Sequence, residues 1–202
     1  MSSEKEPSDW RARKKAATRQ AIQEQASRLF LEKGFDATTV EEIAAAAGVS
    51  HMTFFRYFRT KEDVAADDDY DPMIGELVAA RPAGESVVQK IRQAFVTGLA
   101  QIYDTDRGAL LARYRLILET PSLRARLWEN QNLTQQHLVS VLSEASGRDK
   151  GDLGLQVVVA ACLSAAATAI RVWAENDDSA ELPELVDRAF AALEEGLGDA
   201  GF

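Results

Sequence analysis

Apolar residues along most of the chain recur every three or four positions, which is the spacing of one face of an α-helix. In the first such segment, from Ala16, the residues Ile22, Ala26 and Phe30 follow this spacing, and Gly34 is placed to end the helix. The sequence has no run that alternates apolar and polar residues between turn signals, as β-strands do. The pattern predicts an all-α fold of about nine or ten helices.

Prolines mark the starts of three later helices, because proline is best tolerated at the first helical position. The predicted helices that begin in this way start at Pro72, Pro121 and Pro183. Apolar spacing predicts the remaining helices near residues 85–103, 106–119 and 153–175.

Two short helices follow the first one and carry clear start signals. Thr39 is followed three residues later by Glu42, which is the capping-box pattern. Gly48 ends the helix predicted over 39–47 and allows a sharp turn into the next, predicted over 50–58. Helices of this length, joined so closely, are typical of a helix-turn-helix, whose capped second helix presents its N-terminal residues to DNA bases.

The outward face of the second helix carries side chains that can read DNA. Arg56 is able to contact a guanine or a phosphate, and His51 and Met52 reach base edges or a thymine methyl group. A double-stranded DNA operator is therefore the expected partner. The predicted DNA-contacting residues are Thr39, Ser50, His51, Met52, Thr53, Phe55, Arg56, Tyr57 and Lys61.

The formal net charge of −9 is unevenly distributed. Residues 10–60 contain nine Lys or Arg against five Asp or Glu, whereas residues 61–202 contain thirteen against twenty-four. A basic head on an acidic body suits a protein that meets a polyanion at one end. Such a distribution also arises by chance, so it supports DNA binding only together with the motif.

The residues of the motif and of the helix before it match a known pattern. They are Ala26, Leu29-Phe30, Gly34-Phe35, Thr38 to Ala44, Ala47 to Ser50, Thr53 to Phe58 and Lys61-Glu62-Asp63. This segment resembles the DNA-binding domain of the TetR family of bacterial repressors. One departure is Phe55, which stands where the family usually has tyrosine, so a phosphate-contacting hydroxyl is missing.

The resemblance implies an Ω-shaped homodimer with two helix-turn-helix heads and a divergent C-terminal domain. On this basis residues 1–9 are expected to be a disordered tail, residues 10–62 the DNA-binding domain, and residues 63–202 the effector-binding and dimerisation domain. The implied function is that of a repressor that binds a palindromic operator and is released by a small apolar effector.

Two further segments, 68–72 and 118–126, resemble a branch of that family whose effector domain is associated with long-chain acyl-CoA-like ligands. Aromatic residues at helical spacing are suited to lining a pocket but more often belong to an ordinary core. Arginines 113, 115, 124 and 126 are candidates for CoA phosphates, or else solvated surface residues. The predicted ligand-binding residues are Tyr103, Tyr114, Leu116, Ile117, Glu119, Arg124, Trp128 and Trp173.

The helix over 153–175 is rich in small residues, which let two helices approach closely. Together with residues 183–197 it is expected to form a four-helix bundle across a two-fold axis; the alternative is a core helix within one chain. A membrane span over 154–174 is disfavoured by its alanines and by Arg171. The predicted dimer-interface residues are Ala161, Ala165, Thr168, Val172, Phe190 and Leu193.

Residues for catalysis or metal binding do not group in the sequence. His51 and His137 fall in different predicted domains, and Cys162, the single cysteine, lies in an apolar helix. No enzyme activity, cofactor or metal is expected, and the polar N-terminus without a signal-peptide core favours the cytoplasm. The alternative function is a small helical carrier or enzyme that binds acyl chains without binding DNA.

Overall fold

A computed structural model of the chain describes residues 6–66, 70–176 and 181–196. Within these ranges the regular secondary structure is α-helical, without strands, which confirms the all-α prediction. The helices are α1 (Glu6–Lys33), α2 (Val40–Ala46), α3 (His51–Tyr57), α4 (Lys61–Ala66), α5 (Tyr70–Ala79), α6 (Val87–Glu119), α7 (Pro121–Ser146), α8 (Leu153–Glu175) and α9 (Leu182–Glu195).

Two helices differ from the sequence prediction. The first begins at Glu6, so part of the predicted disordered tail is helical backbone. The helices predicted over 85–103 and 106–119 are a single helix, α6. Its continuity has a local reason, because residues 103–106 contain no Gly or Pro, and buried residues continue at helical spacing from Tyr103 to Leu110 and Tyr114.

The chain divides into two compact units, and the first consists of residues 1–67 together with 120–126. Its core joins the first three helices: Ile22 and Ala26 of α1, Ile43 of α2 and Phe54 of α3 are all fully buried. Burial of each large apolar side chain contributes about 1.5–3 kcal/mol. The core therefore holds α2 and α3 at a fixed crossing angle.

Asp63 connects α4 to the first turns of α7 within this unit. Its Oδ2 accepts hydrogen bonds from the backbone N–H groups of Arg59, at 3.0 Å, and Thr60, at 3.1 Å, which caps α4. Its Oδ1 lies 2.7 Å from an Nη2 of Arg126. This ion pair is one reason that residues 120–126 belong to the first unit.

The second unit contains residues 68–119 and 127–202, and α6, α8 and α9 pack together in it. Arg92 of α6 holds α9 through Asp187, at 2.8 Å, and Glu194. Arg115 donates from Nε to the carbonyl of Ala174 at 3.0 Å, where a cation meets the negative end of the α8 dipole. These polar contacts orient α8 and α9 on α6.

Among the described helices, α8 is the one long and apolar enough to cross a membrane by length and composition. Part of it is core, because Val159, Leu163 and Trp173 are buried. Its other side remains open and includes Val157, which is 56% exposed, and Thr168. The helix therefore has one side packed in its own chain and one available to a partner.

Candidate DNA-binding site

The start of α2 is fixed by the predicted capping box. Thr39 Oγ1 accepts the N–H of Glu42 at 3.3 Å, and Glu42 Oε2 accepts the N–H of Thr39 at 2.9 Å. Lys33 forms an ion pair with the same carboxylate. The Lys33 hydrogen bond, followed by the bonds to Thr39, lowers the pKa of Glu42 to about 2. The Thr39 hydroxyl, a predicted DNA contact, is thus also the cap of α2.

Gly48 makes the turn between α2 and α3. Its φ of +66° is left-handed, a conformation that glycine adopts without strain. The following residue, Val49, donates its N–H to the carbonyl of Ala44 at 2.9 Å and closes the end of α2. Ser50 then caps α3, with its Oγ accepting the N–H of Thr53 at 3.1 Å. The two helices are therefore joined by a short turn that these hydrogen bonds stabilise.

The third helix has one buried side and one exposed side. Phe54 and Phe58 face inward with ring centroids 6.0 Å apart. On the outward side Met52 is 84% exposed, Phe55 is 44% exposed, and Arg56 is exposed as well. Because the inward rings are anchored in the core, the outward side chains are presented on a rigid support.

His51 begins the outward face and is oriented by two neighbours. Its Nε2 lies 3.2 Å from Glu41 Oε1, and its ring packs edge-on against Phe55 at 4.6 Å. When Nε2–H donates to Glu41, Nδ1 remains an acceptor for a base amino group. The Arg56 guanidinium stands 5.4 Å from the ring centre of Tyr57.

Lys61 differs from its predicted role as a DNA contact. Its Nζ donates to the carbonyls of Phe35, at 2.8 Å, Asp36, at 3.3 Å, and Thr38, at 3.1 Å. These three bonds use all three N–H donors of an ammonium group. We therefore assign Lys61 to holding α4 against the turn after α1.

Two arginines of this unit have roles that the sequence did not indicate. Arg19 donates from Nη1 to the carbonyl of Tyr57 at 3.5 Å and lies 4.5 Å from the ring centre of Phe58. Arg126, a candidate for CoA phosphates or else a solvated surface residue, forms an ion pair with Asp63. The signal in the sequence for Asp63 was its position three residues after Thr60, as in a capping box.

The predicted ligand-binding residues separate into buried and exposed groups in the second unit and its boundary. Tyr103, Tyr114, Ile117 and Trp173 are buried, and the Tyr103 and Trp173 rings lie 5.9 Å apart. Burial, followed by the Glu181 hydrogen bond, raises the pKa of the Tyr103 hydroxyl. Leu116 is half-buried. The buried aromatics fit a pocket wall and a plain core alike.

Three predicted ligand-binding residues lie on the surface instead. Trp128 is 70% exposed, and Glu119 and Arg124 are also exposed. The buried stripe of α7 runs through Leu123 and Leu138, and Trp128 falls off it because successive helix positions are rotated by about 100°. These three residues therefore do not line the interior of the protein.

One predicted dimer residue lies inside the chain. Phe190 is fully buried, and its ring is 6.0 Å from that of Phe95 on α6. It belongs to the inner stripe of α9, four residues after Val186. The other predicted dimer residues keep some exposure and stay candidates. They are Ala161, Ala165, Thr168, Val172 and Leu193.

Catalytic or metal chemistry has no visible site among the described residues. No three His, Cys, Asp or Glu side chains within them group to hold a metal ion. Cys162 is fully buried, and burial, followed by the charge of Glu194, raises the pKa of its thiol to about 12. That thiol stays protonated at neutral pH and is a poor nucleophile.

Two protein-family models match this chain. The one described as bacterial regulatory proteins of the tetR family matches residues 22–67, which include α2, α3 and α4. The one described as the MftR C-terminal domain matches residues 85–198, more than half of the chain. The chain belongs to the TetR family. It is a transcriptional regulator with a DNA-binding helix-turn-helix, as the sequence predicted.

Similar proteins of the TetR family carry regulator names. The transcriptional regulator TcmR of Streptomyces glaucescens is 35% identical over 149 residues, which are 70% of this chain and 66% of TcmR. A regulator of Mycobacterium tuberculosis named for mycofactocin biosynthesis, MftR, is 28% identical over 92% of this chain and 93% of its own. These names confirm that the chain is not an enzyme and give no support to the acyl-chain carrier.

A solved structure of the family adds a ligand. It is the TetR-family repressor FadR of Thermus thermophilus in complex with lauroyl-CoA. That chain is 28% identical, with a TM-score of 0.57, over 89% of this chain and 94% of its own. The relation covers both units of the present chain.

Proposed function

We propose that this regulator is a repressor that binds an inverted-repeat operator as a homodimer and is released by an elongated apolar ligand, most simply an acyl-CoA. The observation that carries the proposal is the outward side of α3, where Met52 and Arg56 are exposed on a helix anchored by buried Phe54. An exposed methionine in the first turn and an exposed arginine in the last turn of a capped helix are suited to a thymine methyl group and a guanine.

Dimerisation is proposed through the open side of α8 together with α9. Ala161, Ala165 and Thr168 lie three or four residues apart, so they share one side of α8. Their short side chains leave room for close approach of a second copy of the helix. A two-fold dimer presents two recognition helices to two half-sites, about one helical turn of DNA or a multiple apart.

The acyl-CoA proposal is supported by the lauroyl-CoA complex of FadR. In this chain the proposed site for an acyl chain is the apolar interior of the second unit, where Tyr103, Tyr114 and Trp173 are buried. The ligand must bind the DNA-free state more tightly than the DNA-bound state, because equal affinity shifts no equilibrium. A coupling free energy of about 1–3 kcal/mol lowers operator affinity roughly 5- to 150-fold.

The operator is tested by gel shift with DNA from the region upstream of the gene. We expect a single retarded complex that is competed by an inverted-repeat oligonucleotide and not by a shuffled one. If the shuffled duplex competes equally, the operator proposal is wrong.

The ligand is tested by calorimetry with acyl-CoAs of increasing chain length and with free CoA as the control. We expect affinity to rise with chain length, by up to about 0.8 kcal/mol for each buried methylene, and the gel-shift complex to dissociate in the same order. Absence of binding below about 100 µM, a binding free energy weaker than about −5.5 kcal/mol, refutes the acyl-CoA proposal and leaves the operator proposal intact.

A further inference from the structure

The net positive charge of residues 10–60 comes from the N-terminal part of α1. Residues 10–20 contain five Lys or Arg and no Asp or Glu, whereas residues 21–60 contain four against five, a net of −1. The segment that carries α2 and α3 is thus not basic by itself. Electrostatic attraction to DNA depends on the summed charge of the surface that approaches it, so this attraction requires residues 10–20 of α1.

This part of α1 is exposed on all sides. Every residue from 10 to 17 whose side chain is described is exposed, including Trp10 at 58%, with Lys14 Nζ 5.1 Å from its ring centre. Short helical segments without packing are marginally stable in water. The tetR-family match begins at residue 22, so this segment lies outside the part of the chain that the family model matches.

Three of these basic residues share one side of the helix. Arg11, Lys15 and Arg19 are spaced four residues apart. Arg19 contacts the end of α3 through the Tyr57 carbonyl and the Phe58 ring. Lys15 and Arg11 follow about 6 and 12 Å further along the axis, at 1.5 Å per residue. The basic stripe therefore begins where the recognition helix ends.

We infer that this stripe, formed by Arg11, Lys15 and Arg19, is a second DNA-contact surface that binds phosphates next to the bases read by α3. The inference rests on the proposed DNA binding. Phosphate contacts strengthen binding to every sequence and increase its salt dependence, but they do not discriminate between bases. The stripe supplies affinity, and α3 supplies sequence preference.

The test uses the double variant Arg11→Gln/Lys15→Gln in the full chain. Glutamine removes the charges and keeps helix propensity. The control, Arg148→Gln/Lys150→Gln, makes the same charge change at two exposed positions between α7 and α8. The dissociation constant is measured against KCl concentration for an operator duplex and for a non-specific duplex, with circular dichroism and light scattering as checks on folding and oligomeric state.

We expect the slope of log K against log[KCl] to fall by about 0.9 for each phosphate that is no longer neutralised, so by about 3–4 for a dimer. The dissociation constant at 0.15 M salt should rise at least about tenfold on both duplexes, because the two side chains bind the DNA backbone rather than the bases. The control variant should keep the wild-type slope. An unchanged slope in the stripe variant, or a changed oligomeric state in place of changed DNA binding, overturns the inference.

Fluorescence gives an independent readout in a Trp128→Phe background, where buried Trp173 and exposed Trp10 remain. We expect the non-specific duplex to protect Trp10 from acrylamide quenching, and unprotected Trp10 contradicts the inference. The two proposals fail separately. Selective operator binding with an unaffected stripe variant overturns the stripe alone, whereas stripe-dependent binding equal on all sequences overturns the operator proposal alone.

Discussion

At the scale of residues, the polar side chains at α3 have two different roles: some hold the helix in place, and one is free to contact DNA. Thr53 and Ser50 hydroxyls bond to each other at 2.9 Å, and Ser50 also caps the helix. Arg56 carries its charge on an exposed side chain. The capping residues position the helix, and Arg56 is the residue best suited to a direct base or phosphate contact.

Arg56→Ala is expected to weaken operator binding roughly 5- to 150-fold, since one good base contact contributes about 1–3 kcal/mol. The thermal midpoint should not change, because the side chain is exposed. Arg28→Ala is the matched control: it removes an exposed arginine of α1 whose partners, Gln25 and Glu32, belong to the same helix. Equal affinity of wild type and Arg56→Ala, measured by anisotropy at one salt concentration, contradicts the assignment of α3.

Lys61→Met is expected to act on stability rather than on DNA. Methionine keeps the apolar stem and loses the ammonium group that bonds to three carbonyls, so the free energy of unfolding should fall by about 1–2 kcal/mol. The salt slope of DNA binding should stay at the wild-type value. Stability is measured by urea unfolding and the salt slope by a KCl titration. A lower salt slope at unchanged stability would show that Lys61 contacts DNA.

At the scale of elements, the α2 capping box predicts a defined pH dependence. The pKa of Glu42 lies at about 2, below its ordinary value of 4.5, so its ionised form stabilises the fold. That stabilisation is complete above pH 4.5 and is lost as pH falls towards 2. The melting temperature of wild type should therefore decline relative to Glu42→Gln across this window. A constant difference between the two proteins from pH 5 to pH 2 would show that the contacts with Lys33 and Thr39 do not lower the pKa of Glu42.

Capping residues and prolines predicted where helices begin better than apolar spacing predicted which side of each helix is buried. The Thr39 and Ser50 caps and the Pro121 start appear in the structure because each acts within one turn of helix. The prediction of a break in α6 between residues 103 and 106 was wrong, because the sequence there contains no Gly or Pro that would end a helix. Burial of Phe190 and exposure of Trp128 depend on which neighbouring helix packs against each side, which apolar spacing alone does not specify.

At the scale of the whole molecule, the open side of α8 predicts a homodimer. Ala165→Glu should give a monomer at micromolar concentration, because a buried unpaired carboxylate would cost several kcal/mol at each of two symmetric positions. Ala145→Glu, at an exposed position of α7, makes the same change in charge and should remain dimeric. Light scattering decides, and a dimeric Ala165→Glu variant places the interface elsewhere.

The most direct test of the central claim is the ratio of affinities for an upstream inverted repeat and a shuffled duplex of the same composition, measured by anisotropy at 0.15 M salt. Wild type should prefer the inverted repeat by about 10³-fold or more. Arg56→Ala should reduce this ratio, whereas Arg11→Gln/Lys15→Gln should lower both affinities and preserve the ratio. A ratio near one for wild type would contradict sequence reading by α3.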